Sequence, residues 1–370
     1  MNYEQTFILL AAGLFAGSFL LSAVLTAIAG KIAATLDFVA RPADDRYHRT
    51  VVPLGGGAAI FGTIAIFIVT SIVTVKLFVV PGHFGWLPSS VTMHTDGFLR
   101  KSNQLIVTLI CAFVLFVLGL WDDKRRLGPF IKLAVQLAVA LTAAFFADIR
   151  VEFFIDSKMV TSVLSAFWIV LIINAFNFLD NMDGLSAGIA VIVSSILFTA
   201  AFISGQVFVG GLALVFIGTL LGFLLFNFPP ARIFMGDAGS LVVGFFTALL
   251  TLRTTYYHQA QAGPLYPVFM PLIVMAVPLY DFISVTLLRI RQGKSPFVGD
   301  TQHFSHRLKK RGLTDTQTAL TLYLATLCTG IGATFLYQVN LIGAISIFAQ
   351  MFMILAIIAV LENTSKNDKD

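Results

Sequence analysis

The feature that most restricts this chain is its succession of apolar runs, each near 20 residues and parted by short polar breaks. A run of that length crosses the hydrocarbon core of a bilayer as an α-helix. The helix pairs its backbone polar groups within itself, where no water can. Of the 370 residues, 58% are apolar and 12% charged, and that charged share is about half the usual one. A water-soluble domain is excluded. The expected architecture is all-α: one polytopic integral membrane domain over residues 1–370, with a short cytoplasmic tail at 362–370.

Eleven spans are predicted, near 6–29, 54–80, 104–121, 130–147, 161–178, 184–204, 207–226, 240–252, 265–289, 317–338 and 341–361. The segment 240–252 is the shortest. Residues 1–30 carry Glu4 and no basic leader, and read as a retained first span. Placing the N-terminus outside sends the loops at 30–53, 122–129, 227–239, 290–316 and 362–370 to the cytoplasm. All 24 Lys and Arg then lie in those loops or at adjoining helix ends, except Lys76, Arg100, Lys101, Arg150, Lys158 and Arg253. That is the positive-inside bias. It accounts for the net charge of +5 without a nucleic-acid partner. Cys111 and Cys328 fall inside apolar runs, so no disulfide framework is implied.

Polar residues collect where the runs end. Asp122-Asp123 follows Trp121 and precedes Lys124-Arg125-Arg126. Such a group marks a membrane–water boundary, but adjacent carboxylates also repel and are relieved by sharing a proton or a cation. The fifth span runs into Asn174, Asn177, Asp180, Asn181 and Asp183 and ends at Gly184. Ionisable groups at a transmembrane segment point to function. Steps of three fall about 60° short of a helical turn, so these residues share a face only if the helix tightens or unwinds near Asp180. Two amides and two carboxylates at that spacing (Asn174, Asn177, Asp180 and Asp183) exceed what capping requires.

Pro229-Pro230 stops the seventh span, and Phe234-Met235-Gly236-Asp237-Ala238-Gly239-Ser240 opens the eighth. Ser240 is placed to act as an N-cap, and the glycines let backbone approach a phosphate or metal. Asp237 suits Mg²⁺, which is held by one or two carboxylates plus substrate phosphates. The largest cytoplasmic loop carries Arg289, Arg291, Lys294, Asp300, His303, His306, Arg307 and Lys309-Lys310-Arg311. Basic loops fix topology or meet anionic lipid; with histidines they also suit a diphosphate. His303-x-x-His306 is a poor zinc site, because no Cys or third His accompanies it. Arg46-Tyr47-His48-Arg49 and Pro53-Leu54-Gly55-Gly56-Gly57 lead into the second span, where glycines favour close helix packing. Asp281, two turns inside the ninth span, is placed either to pair with Arg289 or to join the polar site.

In this order and spacing the motifs resemble the polyprenyl-phosphate N-acetylhexosamine-1-phosphate transferases. The resemblance runs from about Arg46 to Arg311. It rests on Pro53…Gly55-Gly56, Asp122-Asp123, Asn174-x-x-Asn177-x-x-Asp180-x-x-Asp183-Gly184, Phe234-Met235-Gly236-Asp237-x-Gly239-Ser240 and the His303 to Arg307 loop. It implies transfer of a sugar-1-phosphate, GlcNAc-1-phosphate in the first instance, from a UDP-sugar to a polyprenyl phosphate at the bacterial plasma membrane. By the same resemblance Asp237 is the Mg²⁺ (or Mn²⁺) ligand, with Asn177 on or near the metal. Asp122 and Asp123 act on the lipid phosphate. Asp180, Asp183 and Phe234 line the nucleotide pocket, with Asp183 also counted as catalytic and Asn174 as substrate-binding, and His303, His306 and Arg307 meet the diphosphate. The implied partners are UDP-N-acetylhexosamine, polyprenyl phosphate and the bilayer, with room for a homodimer.

Two departures stand out. Ser305 replaces the middle residue of the family's His-x-His-His, and Tyr47 stands where an Arg-Lys pair is common. The span count and the Arg307 to Arg311 extension resemble the GlcNAc-1-phosphate branch more than the phospho-MurNAc-pentapeptide branch, which is the alternative. A secondary transporter would place its charges near the bilayer midplane on repeated broken helices, and no repeat is visible. A CDP-alcohol phosphotransferase would need Asp-Gly-x-x-Ala-Arg, whereas Asp183-Gly184 is followed by Leu-Ser-Ala187-Gly188.

Overall fold

The apolar runs fold as helices throughout. The computed structural model describes residues 3–41, 51–84, 87–151, 155–254, 265–295 and 303–363. Its helices are α1 (Tyr3–Thr35), α2 (Gly56–Thr74), α3 (Ser89–Thr92), α4 (Thr95–Lys124), α5 (Pro129–Phe146), α6 (Lys158–Leu179) and α7 (Leu185–Ile203). They continue with α8 (Val207–Asn227), α9 (Gly236–Arg253), α10 (Met270–Val274), α11 (Ala276–Arg291), α12 (Phe304–Lys310), α13 (Asp315–Thr334) and α14 (Leu341–Asn363). Among the described residues the strands are β1 (Val39–Ala40) and β2 (Val52–Pro53), paired antiparallel with Val39 opposite Pro53. Arg46 to Arg49, Asp300 and residues 364–370 of the expected tail lie outside the described residues.

A helix stands at each of the eleven expected positions. Eight are long and apolar enough to cross a membrane, nine if the bent pair Tyr266–Val274 and Ala276–Arg291 counts as one. The other two positions are α9, which carries Asp237 and Arg253 at its ends, and α13, diluted by threonines and glycines. The expected run 265–289 is bent by 65°. Pro278 explains the break, because it lacks the N–H that would bond one turn back to Val274, across Met275, and its ring crowds that carbonyl.

The shortest expected span is the hub of the bundle. α9 packs against α4, α6, α2, α7 and α8, and every residue from Ala238 to Thr251 is buried. Protein rather than lipid covers it, so it has no need of a strongly apolar outer face. α1 lies along α8, where Ser22 Oγ donates to the Thr219 carbonyl at 2.6 Å. α14 sits at the edge, against α13, α11 and α12.

One end of the bundle gathers the ends of α4 and α6 with the starts of α2, α5 and α9. The Gly56 and Gly57 N–H groups donate to the Phe234 and Met235 carbonyls at 3.0 and 3.1 Å, and Leu54 pairs with Phe234 in a parallel bridge. The glycine-rich mouth of α2 is thereby stitched to the mouth of α9.

Candidate active site

The first N–H groups of a helix have no partner within it. α9 begins at Gly236 with no capping side chain of its own, and Ser240, expected as the N-cap, lies inside the helix. The cap comes from α4 instead. Asp123 Oδ1 accepts the Asp237 N–H at 2.8 Å and Oδ2 accepts the Ala238 N–H at 3.1 Å. Two glycines admit that carboxylate. Gly236 has φ +64°, and a Cβ there would lie 2.5 Å from Asp123 Oδ2. A Cβ on Gly119 of α4 would lie 2.4 Å from the Asp237 backbone.

Beside this cap, four residues far apart in sequence converge. The Lys132 ammonium of α5 is paired with Asp237 Oδ2, reaches Asp122 Oδ2 at 3.0 Å, and reaches Asn177 Oδ1 at 3.3 Å. Asn177 Nδ2 donates to Asp237 Oδ1 at 2.9 Å and to Ser240 Oγ at 2.8 Å. Asp122 Oδ1 also accepts the Leu127 N–H at 2.6 Å. Lys132 closes the first turn of α5, where the helix dipole opposes a cation; the surrounding oxygens offset that.

The Asn-rich end of α6 divides as the helix stops. α6 ends at Leu179 with Asp180 as its C-cap. Burial pushes the Asp180 carboxyl well above the usual carboxylate range, and Asp237, Asp123 and Asp183 add to the shift through their charge. Asp183 Oδ2 accepts the Ala231 N–H at 2.8 Å, tying the turn to the segment after Pro229-Pro230. Asn174, one turn deeper, faces elsewhere: its amide donates to Gln136 Oε1 at 2.7 Å and the Val170 carbonyl at 2.8 Å. Phe234 is half-buried, and its backbone joins α2 to α9.

The basic loop closes over the same end through α12. Asp281 Oδ2 meets His303 Nδ1 at 2.9 Å and Asp281 Oδ1 accepts the Phe304 N–H at 3.1 Å, so the carboxylate joins the polar site through the start of α12. Ser305 Oγ donates to Asn181 Oδ1 at 2.6 Å. Arg307 donates to Ser284 Oγ at 3.1 Å and pairs with Glu362 at 3.2 Å. Burial, aided by His303 and Lys309, pulls the His306 imidazole down to about 4, which makes it a neutral hydrogen-bonding group near pH 7.

The residues present fit a divalent cation of the Mg²⁺ kind in one respect. Hard oxygens from Asp122, Asp237 and Asn177 already surround the Lys132 ammonium, and such oxygens are what Mg²⁺ and Mn²⁺ prefer. Among the described residues no three His, Cys, Asp or Glu side chains form a ready-made cage, which also leaves His303 and His306 without a zinc set. An ion there would therefore complete its shell from substrate. Sequence reasoning missed Lys132, Ser305 and Glu362 as parts of this end. For Lys132 a signal existed: a cation in the first turn of an apolar helix asks for a carboxylate.

The glycosyl transferase family 4 model matches residues 105–255, the stretch that supplies Asp122, Asp123, Lys132, Asn177 and Asp237. A Bacillus subtilis (strain 168) protein named "Probable undecaprenyl-phosphate N-acetylglucosaminyl 1-phosphate transferase" is 30% identical over 357 residues, covering 94% of this chain and 89% of the relative. An undecaprenyl-phosphate alpha-N-acetylglucosaminyl 1-phosphate transferase of Yersinia pestis is 28% identical, covering 92% and 86%. Its namesake in Escherichia coli (strain K12) is 27% identical, covering 83% and 78%. With a relative that similar over nearly its full length, and with the family's own match centred on the converging carboxylates, the chain belongs to glycosyl transferase family 4.

Proposed function

We propose that this protein transfers GlcNAc-1-phosphate from UDP-GlcNAc to undecaprenyl phosphate and releases UMP, as the first membrane step toward a cell-envelope polysaccharide. The observation that carries the reading is the meeting of Asp122, Lys132, Asn177 and Asp237 at one end of a membrane bundle. The relatives' names supply the substrate class.

An oxygen of the lipid phosphate attacks the phosphorus next to the sugar; the bond from that phosphorus to the bridging oxygen breaks, and UMP departs with the electron pair. Phosphoryl transfer asks a protein for positioning and charge more than for covalent chemistry. Asp123 fixes the start of α9, so that Asp237 stands at a set distance from Asn177. Asp122, held by the Leu127 N–H and by Lys132, orients the incoming lipid phosphate. Lys132 meets phosphate oxygens when substrate enters. Asp180, Asp183 and Phe234 border the nucleotide, and α12 brings His303, His306 and Arg307 toward the diphosphate. A Mg²⁺ or Mn²⁺ ion held by Asp237 and Asn177 would neutralise charge on the two phosphates.

This end faces the cytosol, where nucleotide sugars are made, of a bacterial plasma membrane. The positive-inside bias of the flanking loops supports that orientation, with the N-terminus outside. The contact of Glu362, at the end of α14, with Arg307 supports a C-terminus on the same side as the site. Purified protein given undecaprenyl phosphate, Mg²⁺ and a panel of UDP-sugars tests the reading. A lipid product heavier by GlcNAc-phosphate is expected, and a product formed only from UDP-MurNAc-pentapeptide would overturn it.

A further inference from the structure

The edge helix α14 ends in a carboxylate that is not at the edge. Only 17% of the apolar stretch of α14 is buried, yet the Glu362 side chain is 2% exposed. Glu362 Oε2 pairs with Arg307 at 3.2 Å and accepts from the Tyr280 hydroxyl at 3.1 Å. The Glu362 carbonyl accepts from Arg311 at 2.8 Å. A helix that gives most of its surface to lipid thus carries a shielded charge, and that charge is directed at the basic half of α12. Burying a carboxylate is costly unless it is paired and hydrogen-bonded, and crossing a membrane does not require one.

α12 has reason to need the contact. It is 7 residues long, too short to hold a helical form by itself. Its place is set by side chains from elsewhere: Asp281 grips its start through His303 and the Phe304 N–H, and Asn181 grips Ser305. The Glu362 carboxylate grips Arg307, while its backbone carbonyl takes Arg311 at the far end. These anchors lie on α11, on the turn after α6 and on α14, away from Asp122 and Lys132 on α4 and α5.

We propose that Glu362 is a positioning residue for the transfer reaction: its carboxylate fixes Arg307, and with it the attitude of α12 toward the donor diphosphate. The inference rests on the reading of α12 as the donor-facing element. Glu362 acts through Arg307, so its loss weakens use of the UDP-sugar and spares use of the lipid acceptor.

The test compares full-length wild type, Glu362→Gln and Glu362→Asp in detergent with two readouts. Trypsin cleavage after Arg307, Lys309, Lys310 and Arg311 reports how firmly α12 is held, without any turnover. Losing a charge-assisted hydrogen bond predicts cleavage faster by about tenfold in Glu362→Gln and near wild type in Glu362→Asp. Steady-state kinetics should show the KM for UDP-GlcNAc raised by about tenfold in Glu362→Gln, an unchanged KM for undecaprenyl phosphate, and recovery in Glu362→Asp. Wild-type cleavage in Glu362→Gln would overturn the clamp. Faster cleavage with no change in the UDP-GlcNAc KM, or with both KM values raised alike, would overturn the positioning role. Absence of UDP-GlcNAc turnover in the wild type would overturn the transferase reading instead, and the trypsin result decides the clamp alone. Should Glu362→Gln fail to insert, Tyr280→Phe removes one contact of the carboxylate and carries the same readouts.

Discussion

At the end of the bundle away from the site, Arg253 donates to the Asp148 carbonyl and to Gln104 Oε1, each at 3.1 Å. Arg150 pairs with Asp148 at 2.7 Å and reaches Thr161 Oγ1 at 3.2 Å, while Gln206 donates to the Arg253 carbonyl at 3.2 Å. There, Arg150 meets a carboxylate and Arg253 meets neutral oxygens, so the network carries no excess of negative charge. At the site end, Asp122, Asp123 and Asp237 stand close together with Asp180 in electrostatic reach, and the ammonium held among them is Lys132. Both ends tie helices together, but only one is left with surplus negative charge. Surplus like charge costs stability and persists where function uses it. The far end is a fastening; the near end holds like charges together at a cost in stability.

Removing the ammonium should show the contrast most strongly. Lys132→Met leaves Asp122 and Asp237 facing each other, and UMP release is expected to fall on the order of 10²-fold. Turnover near wild type would mean that Lys132 only balances charge.

A steric change comes next. Gly119→Ala would push a methyl into the Asp237 backbone at 2.4 Å, costing about 1–3 kcal/mol of stability. A lowered melting temperature and reduced turnover are expected together. If turnover per folded molecule is unchanged, the position of Asp237 does not depend on α4.

A pH effect is expected around α12. The folded pKa of His306 is lowered to about 4, so the folded state binds the proton less readily than the unfolded chain. Its contribution to stability is therefore complete above the unfolded value of about 6.5 and is lost as pH falls toward the folded one. Melting followed from pH 7 to pH 4 should show that loss, and His306→Gln should reduce it.

Arg253→Gln at the far end should have the smallest effect on chemistry. It should lower stability by about 1 kcal/mol through lost hydrogen bonds, with turnover per folded molecule unchanged. A large fall in turnover would break the division between the two ends.

The helices were legible because a bilayer leaves the backbone few alternatives. So were Asp122, Asp123, Asn177, Asp180 and Asp237, since carboxylates and amides at apolar helix ends stand out against their surroundings. What escaped was anything defined by neighbours rather than by composition. α9 read as the shortest span, yet it is the hub, since other helices and not lipid surround it. Lys132 counted only toward the charge bias, because its place in the first turn of α5 asks for a carboxylate without saying that α4 and α9 supply it. Steps of three share a face only if the helix tightens or unwinds; α6 does neither between Asn174 and Asn177, so Asn174 turns toward Gln136 and Asn177 toward Asp237. The bend in the ninth run was written in Pro278, and apolarity alone passed over it.

The central claim is that the convergence on Asp237 is chemical machinery and not another fastening. UMP release by folded, membrane-inserted Asp237→Asn, followed across a Mg²⁺ titration beside wild type, tests it most directly. The account predicts turnover at background for the variant at every Mg²⁺ concentration and a Mg²⁺-dependent rise for wild type. Equal rates in the two proteins would contradict it.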